Sequence, residues 1–395
     1  MGHPRIFICA GEASGDLHAA NLIRALRRLA PDAEIAALGG PRMAEAGARL
    51  VANTVELGII GILPIFTSFW RYLDRLSLTD RFVARWRPDV VVVIDNPGFH
   101  FLLASRFRAR RLPLVWYIPP QLWAWAPWRV NKLRRRFTKV ACVLPNEEAF
   151  FRANGVPVQH VGHPVVDHLR ALALDEAFMR SLRATPEDRL IGIMPGSRRQ
   201  EVVPILKHQL VVAKALAARH ERCTFVMALA KEEHRAWTAP LVVASGLAIR
   251  SVVGKTHEVQ KAADLVLAKS GTTTLELLYY GTPMAVFYNI SWTQWKLLGR
   301  WVVKTPWLSL PNVLAGRSIV PEYMWDVTPT SDQIEEVSAL LVDERRRTEV
   351  REALAEIRRR IDIPGAAEKA ARVVLGVVGT DVPPAPALRP GFLFM

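Results

Sequence analysis

The sequence contains few cysteines, and they are far apart. Only three occur among its 395 residues, at positions 9, 142 and 223. None has the close spacing that a zinc site or a disulfide framework requires. We therefore expect no metal site built on thiolates, and a reducing compartment such as the cytoplasm fits best.

Long hydrophobic runs are also missing. The apolar segment 59–66 stops far short of the roughly 20 residues that a membrane-spanning helix needs. The chain runs from Met1 directly into the strand-like segment 5–10, without a leader of charged and then apolar residues. We expect neither a membrane span nor a secretion signal, so any membrane contact would be peripheral.

Two nucleotide-binding signatures are absent as well. The sequence has no complete Walker loop, Gly-x-x-x-x-Gly-Lys-Ser/Thr, and no Asp-x-Asp triplet. The first absence argues against ATP hydrolysis, and the second argues against a nucleotide-sugar site that chelates Mg²⁺. We therefore expect no metal and no cofactor.

Acidic residues are outnumbered by basic ones. The 52 Lys and Arg against 37 Asp and Glu give a formal net charge of +15. Such an excess favours phosphate-rich or anionic partners. Nucleic acid, anionic lipid and phosphosugars all meet this condition.

Short β-branched segments alternate with helical ones, which indicates an α/β protein with parallel sheets. Because the chain exceeds the usual size of a single core, we expect two Rossmann-like domains. The strand-like segments lie at 6–10, 90–94, 114–118, 140–144, 190–194, 224–228 and 265–268. The predicted divisions are an N-terminal domain at 1–170, a second domain at 171–345, helices at 346–378 that can pack back on the first domain, and a flexible tail at 379–395.

Two loops of the second domain have the composition of phosphate-binding loops. The first, Pro-Gly-Ser-Arg-Arg at 195–199, joins a strand to a helix. Backbone N–H groups, the helix dipole and Arg198 would face an anion there. The alternative is a tight turn with solvated arginines, because a short glycine loop is a weak signal by itself.

The second loop carries more weight. Ser270, Gly271 and Thr272 join a strand to a helix and suit a diphosphate, and Glu276 lies about a turn and a half into that helix. A carboxylate beside a phosphate site can accept hydrogen bonds from ribose hydroxyls, whereas the alternative is a capped helix with a surface glutamate. Together the two loops predict a nucleotide outside the carboxyl ends of the strands.

The first domain offers a loop of different character. The segment Gly-Glu-Ala-Ser-Gly-Asp at 11–16 follows a strand and opens a helix. Its two carboxylates, together with Ser14, favour sugar hydroxyls over phosphate, so Glu12, Gly15 and Asp16 are candidates for binding an acceptor. Helix capping is an equal alternative for Asp16.

A second candidate position in this domain is Asp95. It ends the apolar strand at 90–94 and begins Asp-Asn-Pro-Gly, so its carboxylate is expected to point into the crevice beyond the sheet. Partial desolvation would raise the pKa of this carboxyl group and make it a general base for a hydroxyl. Ordinary turn chemistry is the alternative. His100 is expected either to share the proton transfer or to be structural.

The segment 116–129 is rich in tryptophan, and four basic residues follow it at 132, 134, 135 and 136. Aromatic rings beside cations are typical of surfaces that stack on nucleic-acid bases. They are equally typical of a lipid interface with cations on the phosphates. Composition alone leaves both interpretations open.

Six motifs, taken in order, resemble the lipid-A-disaccharide synthase family. The likeness runs from Ile6 to about Pro329, and the ordered set is specific although no single motif is decisive. The motifs are Gly-Glu-Ala-Ser-Gly-Asp at 11–16, Trp-Ala-Trp at 123–125, Gly-His-Pro at 162–164, Pro-Gly-Ser-Arg at 195–198, Ser-Gly-Thr at 270–272 with Glu276, and Leu-Pro-Asn at 310–312.

The resemblance implies an inverting, metal-independent glycosyltransferase of lipid A biosynthesis. Its GT-B fold would have two Rossmann-like domains whose parallel sheets face each other across a cleft. The implied reaction joins UDP-2,3-diacylglucosamine to 2,3-diacylglucosamine 1-phosphate through a β-1,6 linkage, with release of UDP. Asp95 falls where the family has its base on the acceptor 6-hydroxyl. Ser14, Arg198, Glu276 and Asn312 fall where donor-binding and active-site residues lie.

The resemblance also implies partners. The expected location is the cytoplasm, at the inner face of the cytoplasmic membrane, with segment 59–70 as the contact patch; an ordinary buried helix face is the alternative for that segment. Besides the two acylated substrates, a second copy of the chain is a candidate partner in a homodimer. Nucleic acid is not an expected partner.

The chain departs from the family pattern on the acceptor side. Gly98 and His100 stand where the family usually has an aspartate and an asparagine, Pro119–Gln121 replaces a Ser-Pro segment, and Ala126 replaces a common arginine. The expectation for the UDP-sugar is therefore firmer than that for the acceptor. The alternatives are a related enzyme such as a UDP-N-acetylglucosamine epimerase or a peptidoglycan glycosyltransferase, a catalytically silent nucleotide-sugar-binding relative, and a nucleic-acid-binding protein.

Overall fold

The computed structural model describes residues 3–54, 64–288, 305–324 and 329–380. The side chains of the expected membrane-contact segment, 59–70, lie outside this description, as does the chain from residue 381 onward. Among the described residues, no helix is long and apolar enough to cross a membrane.

The chain divides into two compact units. Unit 1 comprises Met1–Asp167 together with Ile363–Met395, and unit 2 comprises His168–Asp362. Each unit contains one parallel sheet, and its central strands are almost entirely buried. Near-continuous apolar runs such as Val-Val-Val-Val-Ile at 90–94 are typical of strands that helices cover on both faces.

The sheet of unit 1 has seven strands in the order β3-β2-β1-β4-β5-β6-β7, and all neighbours are parallel. The strands are β1 Arg5–Ala10, β2 Glu34–Gly39, β3 Arg49–Asn53, β4 Val90–Ile94, β5 Leu114–Tyr117, β6 Lys139–Cys142 and β7 Val158–His160. Chain order reverses between β1 and β4, so this pair is the topological switch point of the sheet.

The sheet of unit 2 has six strands in the order β10-β9-β8-β11-β12-β13, again all parallel. The strands are β8 Arg189–Met194, β9 Cys223–Leu229, β10 Ile249–Val253, β11 Leu265–Lys269, β12 Met284–Tyr288 and β13 Glu322–Met324. Here the switch point lies between β8 and β11.

Helices connect the strands in both units. Prolines 41, 97 and 145 each stand at the start of a helix, where the missing N–H has no intrahelical partner to lose. The helices are α1 Ala13–Leu29, α2 Pro41–Glu45, α3 Pro64–Trp86, α4 Pro97–Ala109, α5 Val130–Arg136, α6 Pro145–Ala153, α7 Pro164–Ala171, α8 Glu176–Arg180, α9 Arg199–Arg219, α10 Arg235–Ser245, α11 Thr256–Ala262, α12 Thr272–Tyr280, α13 Leu310–Ala315, α14 Ser331–Val342, α15 Glu344–Ile361 and α16 Ala366–Leu375.

The chain returns to unit 1 for its last described helix, α16, which packs against α1. Gly162 allows the return, because it has a φ of +87° and a Cβ there would lie 2.5 Å from the Ile363 carbonyl oxygen. The Asp167 carboxylate accepts hydrogen bonds from the Gly365 and Ala366 N–H groups, at 2.7 and 2.8 Å. A side chain far away in sequence thus satisfies N–H groups at the start of α16.

This contact predicts a stability effect. Asp167→Ala leaves the start of α16 without its acceptor, so we expect the free energy of unfolding to fall by about 1 kcal/mol. Asp167→Asn keeps one side-chain oxygen and should lose less. Urea denaturation of the two variants and the wild type measures the difference, and equal stability of all three would contradict the role given to Asp167.

Candidate functional site

In unit 2, the loops that follow β8 and β11 lie side by side. Met194 pairs with Ala268 in the sheet, so the two loops leave it at nearly the same level. A Cβ at Gly196 would lie 3.5 Å from both the Lys269 and Glu201 side chains. Gly196 and Gly271 have φ values of +113° and +139°, which side chains rarely allow, so glycine is needed at both turns.

Each of these loops ends at the start of a helix. Arg198 precedes α9 and Gly271 precedes α12, and neither residue caps its helix with a side-chain hydrogen bond. The first N–H groups of such helices, together with the positive end of the helix dipole, attract an anion. The predicted loop residues Arg198, Ser270, Gly271 and Thr272 therefore meet at the switch point of this sheet.

A lysine that we did not select from the sequence lies between the two loops. The Lys269 ammonium is 3.3 Å from a Glu201 carboxylate oxygen, and the Arg198 guanidinium is 3.7 Å from the other one. The ammonium also lies 3.5 Å from the point where a Cβ on Gly271 would be. Its only signal in the sequence is that a charged residue ends an otherwise apolar strand.

Glu276 lies on α12, in its second turn, and is half-buried. One of its carboxylate oxygens accepts a hydrogen bond from the Gln260 amide at 2.7 Å. The carboxylate is therefore held in one orientation, on the helix that begins at the Ser-Gly-Thr loop. Gln260 also went unrecognised in the sequence.

Ser270 is anchored to the neighbouring strand β12. Its N–H donates to the Phe287 carbonyl at 3.0 Å, and its hydroxyl bonds to the Tyr288 hydroxyl. Tyr288 in turn donates to the Glu322 carboxylate at 3.5 Å. The loop is thus fixed by backbone and side chain.

Asn312 requires a correction. It was predicted to bind the donor, but its side chain is 0% exposed, and its amide makes hydrogen bonds within the protein. Its oxygen accepts from the Ile319 and Val320 N–H groups, and its amide donates to the Val320 carbonyl and to Glu322. Asn312 orients Glu322 and contacts no ligand directly.

In unit 1, the loops that follow β1 and β4 are in contact. Ala10 pairs with Ile94, so Gly11 and Asp95 both begin just beyond the sheet. A Cβ on Gly11 would lie 2.2 Å from the Asn96 side-chain nitrogen, so this position has room only for glycine. Asn96 meanwhile accepts a hydrogen bond from the Phe99 N–H at the start of α4.

Asp95 has a strained backbone. Asp95 and Asn96 have φ values of +54° and +41°, in the left-handed region that costs a non-glycine residue roughly 1–3 kcal/mol. Strain of this kind persists only where the surroundings impose it, and it is common at functional sites. The half-buried Asp95 side chain lies at the switch point, as its place after β4 predicts.

His100 is one of the residues that impose this conformation, and its predicted role needs correction. It is 0% exposed, and its Nδ1 lies 2.6 Å from the Asp95 carbonyl oxygen. A carbonyl oxygen only accepts, so Nδ1 carries the proton. Burial lowers the pKa of His100 to about 4, which keeps the imidazole neutral at pH 7. His100 holds the Asp95 backbone from within the core.

Asp16 and Gly15 also have structural roles where acceptor binding was predicted. Asp16 is 2% exposed, and its carboxylate accepts from the Gly40, Arg42 and Met43 N–H groups at 3.0–3.2 Å, which caps α2. Gly15 is buried, and a Cβ there would lie 3.3 Å from the Ala10 side chain. The capping alternative for Asp16 is therefore correct, although the helix concerned is α2 and not its own.

Two predicted residues of this loop remain at the surface. Ser14 is exposed in the first turn of α1, and Glu12 is the half-buried residue that precedes the helix. Both lie on the loop that touches Asn96 through Gly11. Hydroxyl and carboxylate groups here can bond to the hydroxyls of a sugar.

The tryptophan-rich segment divides between core and surface. Trp116 is fully buried among aromatic rings, whereas Trp128 is 53% exposed. Arg129 lies 5.2 Å from the centre of the Trp125 ring, as a cation–π pair. Across the part of the chain that the structure describes, no three His, Cys, Asp or Glu side chains form a group that could hold a metal ion.

Comparison with known proteins identifies the family. The family model for lipid-A-disaccharide synthetase matches residues 6–373. The lipid-A-disaccharide synthase of Geobacter sulfurreducens is 34% identical over 380 residues, which cover 96% of this chain and 98% of that protein. The protein of the same name from Anaeromyxobacter dehalogenans is 36% identical over 375 residues, or 95% of this chain and 97% of that one. The resemblance inferred from the motifs is confirmed.

Solved structures share the fold at low sequence identity. The UDP-GlcNAc 2-epimerase of Neisseria meningitidis, solved with UDP-GlcNAc bound, has a TM-score of 0.59 at 12% identity and covers 94% of this chain and 100% of its own. MurG of Acinetobacter baumannii has a TM-score of 0.58 at 13% identity, with coverage of 94% and 99%. The predicted α/β class of GT-B type is confirmed.

Three histidines of unit 1, the buried His100 and the partly buried His18 and His163, predict a loss of stability in acid. Burial lowers the pKa of His18 and His100 to about 4 and that of His163 to about 3, from an ordinary value near 6.5. Below pH 6.5 the unfolded chain binds protons that the folded chain does not. The free energy of unfolding should therefore fall as the pH drops from about 6.5 to about 4, by up to about 1.4 kcal/mol per pH unit for each histidine.

His100→Phe tests this for one residue. Between pH 7 and pH 5, urea denaturation should show a smaller loss of stability in the variant than in the wild type, by about 2 kcal/mol. An identical pH dependence in the two proteins would contradict a neutral, buried His100.

Proposed function

The chain belongs to the lipid-A-disaccharide synthase family, and from that premise we propose that it transfers 2,3-diacylglucosamine from UDP to the 6-hydroxyl of 2,3-diacylglucosamine 1-phosphate. It is a GT-B glycosyltransferase of lipid A biosynthesis. In the proposed reaction UDP leaves and the β-1,6 disaccharide 1-phosphate forms. The observation that carries the proposal is the meeting of two helix starts with Lys269 and Arg198 at the switch point of unit 2.

The UDP diphosphate would bind at these helix starts. The Gly271 and Thr272 N–H groups would face the phosphate oxygens, and Arg198 and Lys269 would neutralise their charge. Glu276, held by Gln260 at 2.7 Å, would accept hydrogen bonds from the ribose hydroxyls. This assignment is supported by the contact between the two loops, since one diphosphate can touch both.

The leaving group would be stabilised by fixed charges. When the bond between the sugar C1 and the diphosphate oxygen breaks, negative charge grows on that oxygen. Helix dipoles and cations already in place lower the energy of this charge without reorganising. Glu201 pairs with both cations in the free protein and would hold their side chains in position until the diphosphate binds.

On the acceptor side, Asp95 is the proposed general base. The acceptor 6-hydroxyl oxygen attacks C1 from the face opposite UDP, the C1–O bond to UDP breaks, and the hydroxyl proton passes to the Asp95 carboxylate. The strained Asp95 backbone, which His100 holds through the carbonyl, supports this role, because such strain is common at functional sites. Glu12 and Ser14 would hydrogen-bond to the substrate sugars.

We also propose that the protein works at the inner face of the cytoplasmic membrane. Both substrates carry two acyl chains, which remain more stable in a bilayer than in water. The net charge of +15 would favour a surface of anionic lipid.

Asp95 provides the first functional prediction. Asp95→Asn keeps the shape of the side chain but cannot take the proton, so we expect turnover to fall by about 10²–10⁴-fold with UDP affinity unchanged. UDP release from UDP-diacylglucosamine and diacylglucosamine 1-phosphate measures turnover, and calorimetry measures affinity. EDTA should leave the wild-type rate unchanged. A variant with wild-type turnover would remove Asp95 as the base.

Lys269 provides the second functional prediction. Lys269→Met removes a cation and leaves Glu201 facing the diphosphate, so we expect UDP affinity to fall at least about tenfold, in line with a charge-assisted hydrogen bond. Lys261→Met is the matched control, because Lys261 is exposed just before β11 begins, at the opposite edge of the sheet. Equal UDP affinity of Lys269→Met and Lys261→Met would contradict the role of Lys269.

A further inference from the structure

Gln260, on α11, is a buried polar residue that takes no part in the bond-making step of the proposed reaction. Its side chain is 0% exposed, and both ends of its amide make hydrogen bonds. The nitrogen donates to Glu276 at 2.7 Å, and the oxygen lies 3.0 Å from Nδ1 of His257. Its backbone carbonyl accepts from the Thr282 hydroxyl at 2.7 Å, which ties α11 to the segment after α12.

The chemistry of the partners fixes the direction of these bonds. An ionised carboxylate only accepts, so the amide nitrogen must face Glu276 and the amide oxygen must face His257. Nδ1 of His257 then carries the proton and donates it to Gln260. The result is a directed chain from His257 through Gln260 to Glu276.

We propose that Gln260 is a positioning residue that holds the Glu276 carboxylate for the ribose hydroxyls of UDP. This rests on the proposed function, which assigns the ribose to Glu276. Because Gln260 donates a hydrogen bond to one Glu276 oxygen, the rotation of the carboxylate is restricted before any nucleotide binds. A site arranged beforehand loses less conformational freedom on binding and therefore binds more tightly.

His257, at the outer end of this hydrogen-bonded series, is itself restrained. The His257 ring lies 5.7 Å from the His168 ring and 6.3 Å from the Tyr280 ring, measured between centres. These contacts limit the directions in which Nδ1 can point. Gln260 consequently has little room to turn its amide away from Glu276 without leaving a buried polar group unpaired.

A purely structural Gln260 would behave differently from a positioning one. Loss of a structural residue would disturb α11 and α12 and weaken every ligand of the pocket alike. Loss of a positioning residue would weaken only those ligands that offer ribose hydroxyls to Glu276. UDP and 2′,3′-dideoxy-UDP differ in those hydroxyls alone, so the pair separates the two roles.

The test is calorimetric titration of both nucleotides into the wild type and into Gln260→Met, whose side chain has similar size but no amide. We expect the wild type to prefer UDP, and Gln260→Met to bind UDP about tenfold more weakly while its affinity for the dideoxy compound stays the same. Adding Gln260→Met to Glu276→Ala should cause no further loss, because the two residues act through one contact.

Gln209→Met is the matched control. Gln209 is equally buried, and its amide donates to the Met194 and Leu267 carbonyls, under both loops of the pocket. Its loss should weaken the two nucleotides to the same extent. If Gln260→Met does not fold, His257→Phe serves instead, because His257 is half-buried and its replacement removes the donor to the Gln260 amide oxygen. We then expect a two- to threefold loss of affinity that is confined to UDP.

The outcomes separate this inference from the proposed function. A wild type that binds no UDP would overturn both, and a wild type that binds the two nucleotides equally would remove Glu276 from the ribose and Gln260 with it. A wild type that prefers UDP, together with a Gln260→Met variant that weakens both nucleotides alike, would overturn only the positioning role.

Discussion

The parallel pairing of β8 with β11 is the constraint on which the nucleotide half of the molecule depends. The register places Met194 level with Ala268, so the loops that leave these strands start at the same height and lead into helices that begin side by side. Both helices then begin at the carboxyl end of one sheet, at its switch point. A single strand–loop–helix unit offers one weak anion site, and two such units together make up the proposed diphosphate site.

Positive charge concentrated at such a site needs a counter-ion. Glu201 is that counter-ion, with one oxygen near Lys269 and the other near Arg198. It follows Arg198 by three residues, on the first turn of α9, so the loop that supplies one cation also supplies the group that holds both. The same carboxylate sits close to the helix start, where a negative charge is favoured.

Much of the fold followed from local sequence, and the failures share one physical cause. Apolar runs bounded by glycine located β1, β4, β8 and β11, and the residues just after them located Asp95 and the Ser-Gly-Thr loop, because strand ends are a local property. The direction and the burial of a side chain depend on contacts with residues that are distant in the sequence. Asp16 was expected at a ligand but caps a helix some 25 residues on, as its bonds to Gly40 and Met43 require. Gln260 carried no local signal, since only the packing of α11 on α12 brings it to Glu276.

The two carboxylates assigned to substrates are held in a similar way. Asp95 is fixed through its carbonyl by the buried His100, and Glu276 is fixed through its side chain by the buried Gln260. Both supporting groups are neutral donors, because burial keeps the imidazole unprotonated and an amide does not titrate. A lysine or arginine in either place would put a positive charge beside the carboxylate, which would withdraw the basicity and the hydrogen-bonding capacity that the substrate needs. A neutral donor orients a carboxylate and leaves its charge for the reaction, which is a physical reason for histidine and glutamine at these two positions.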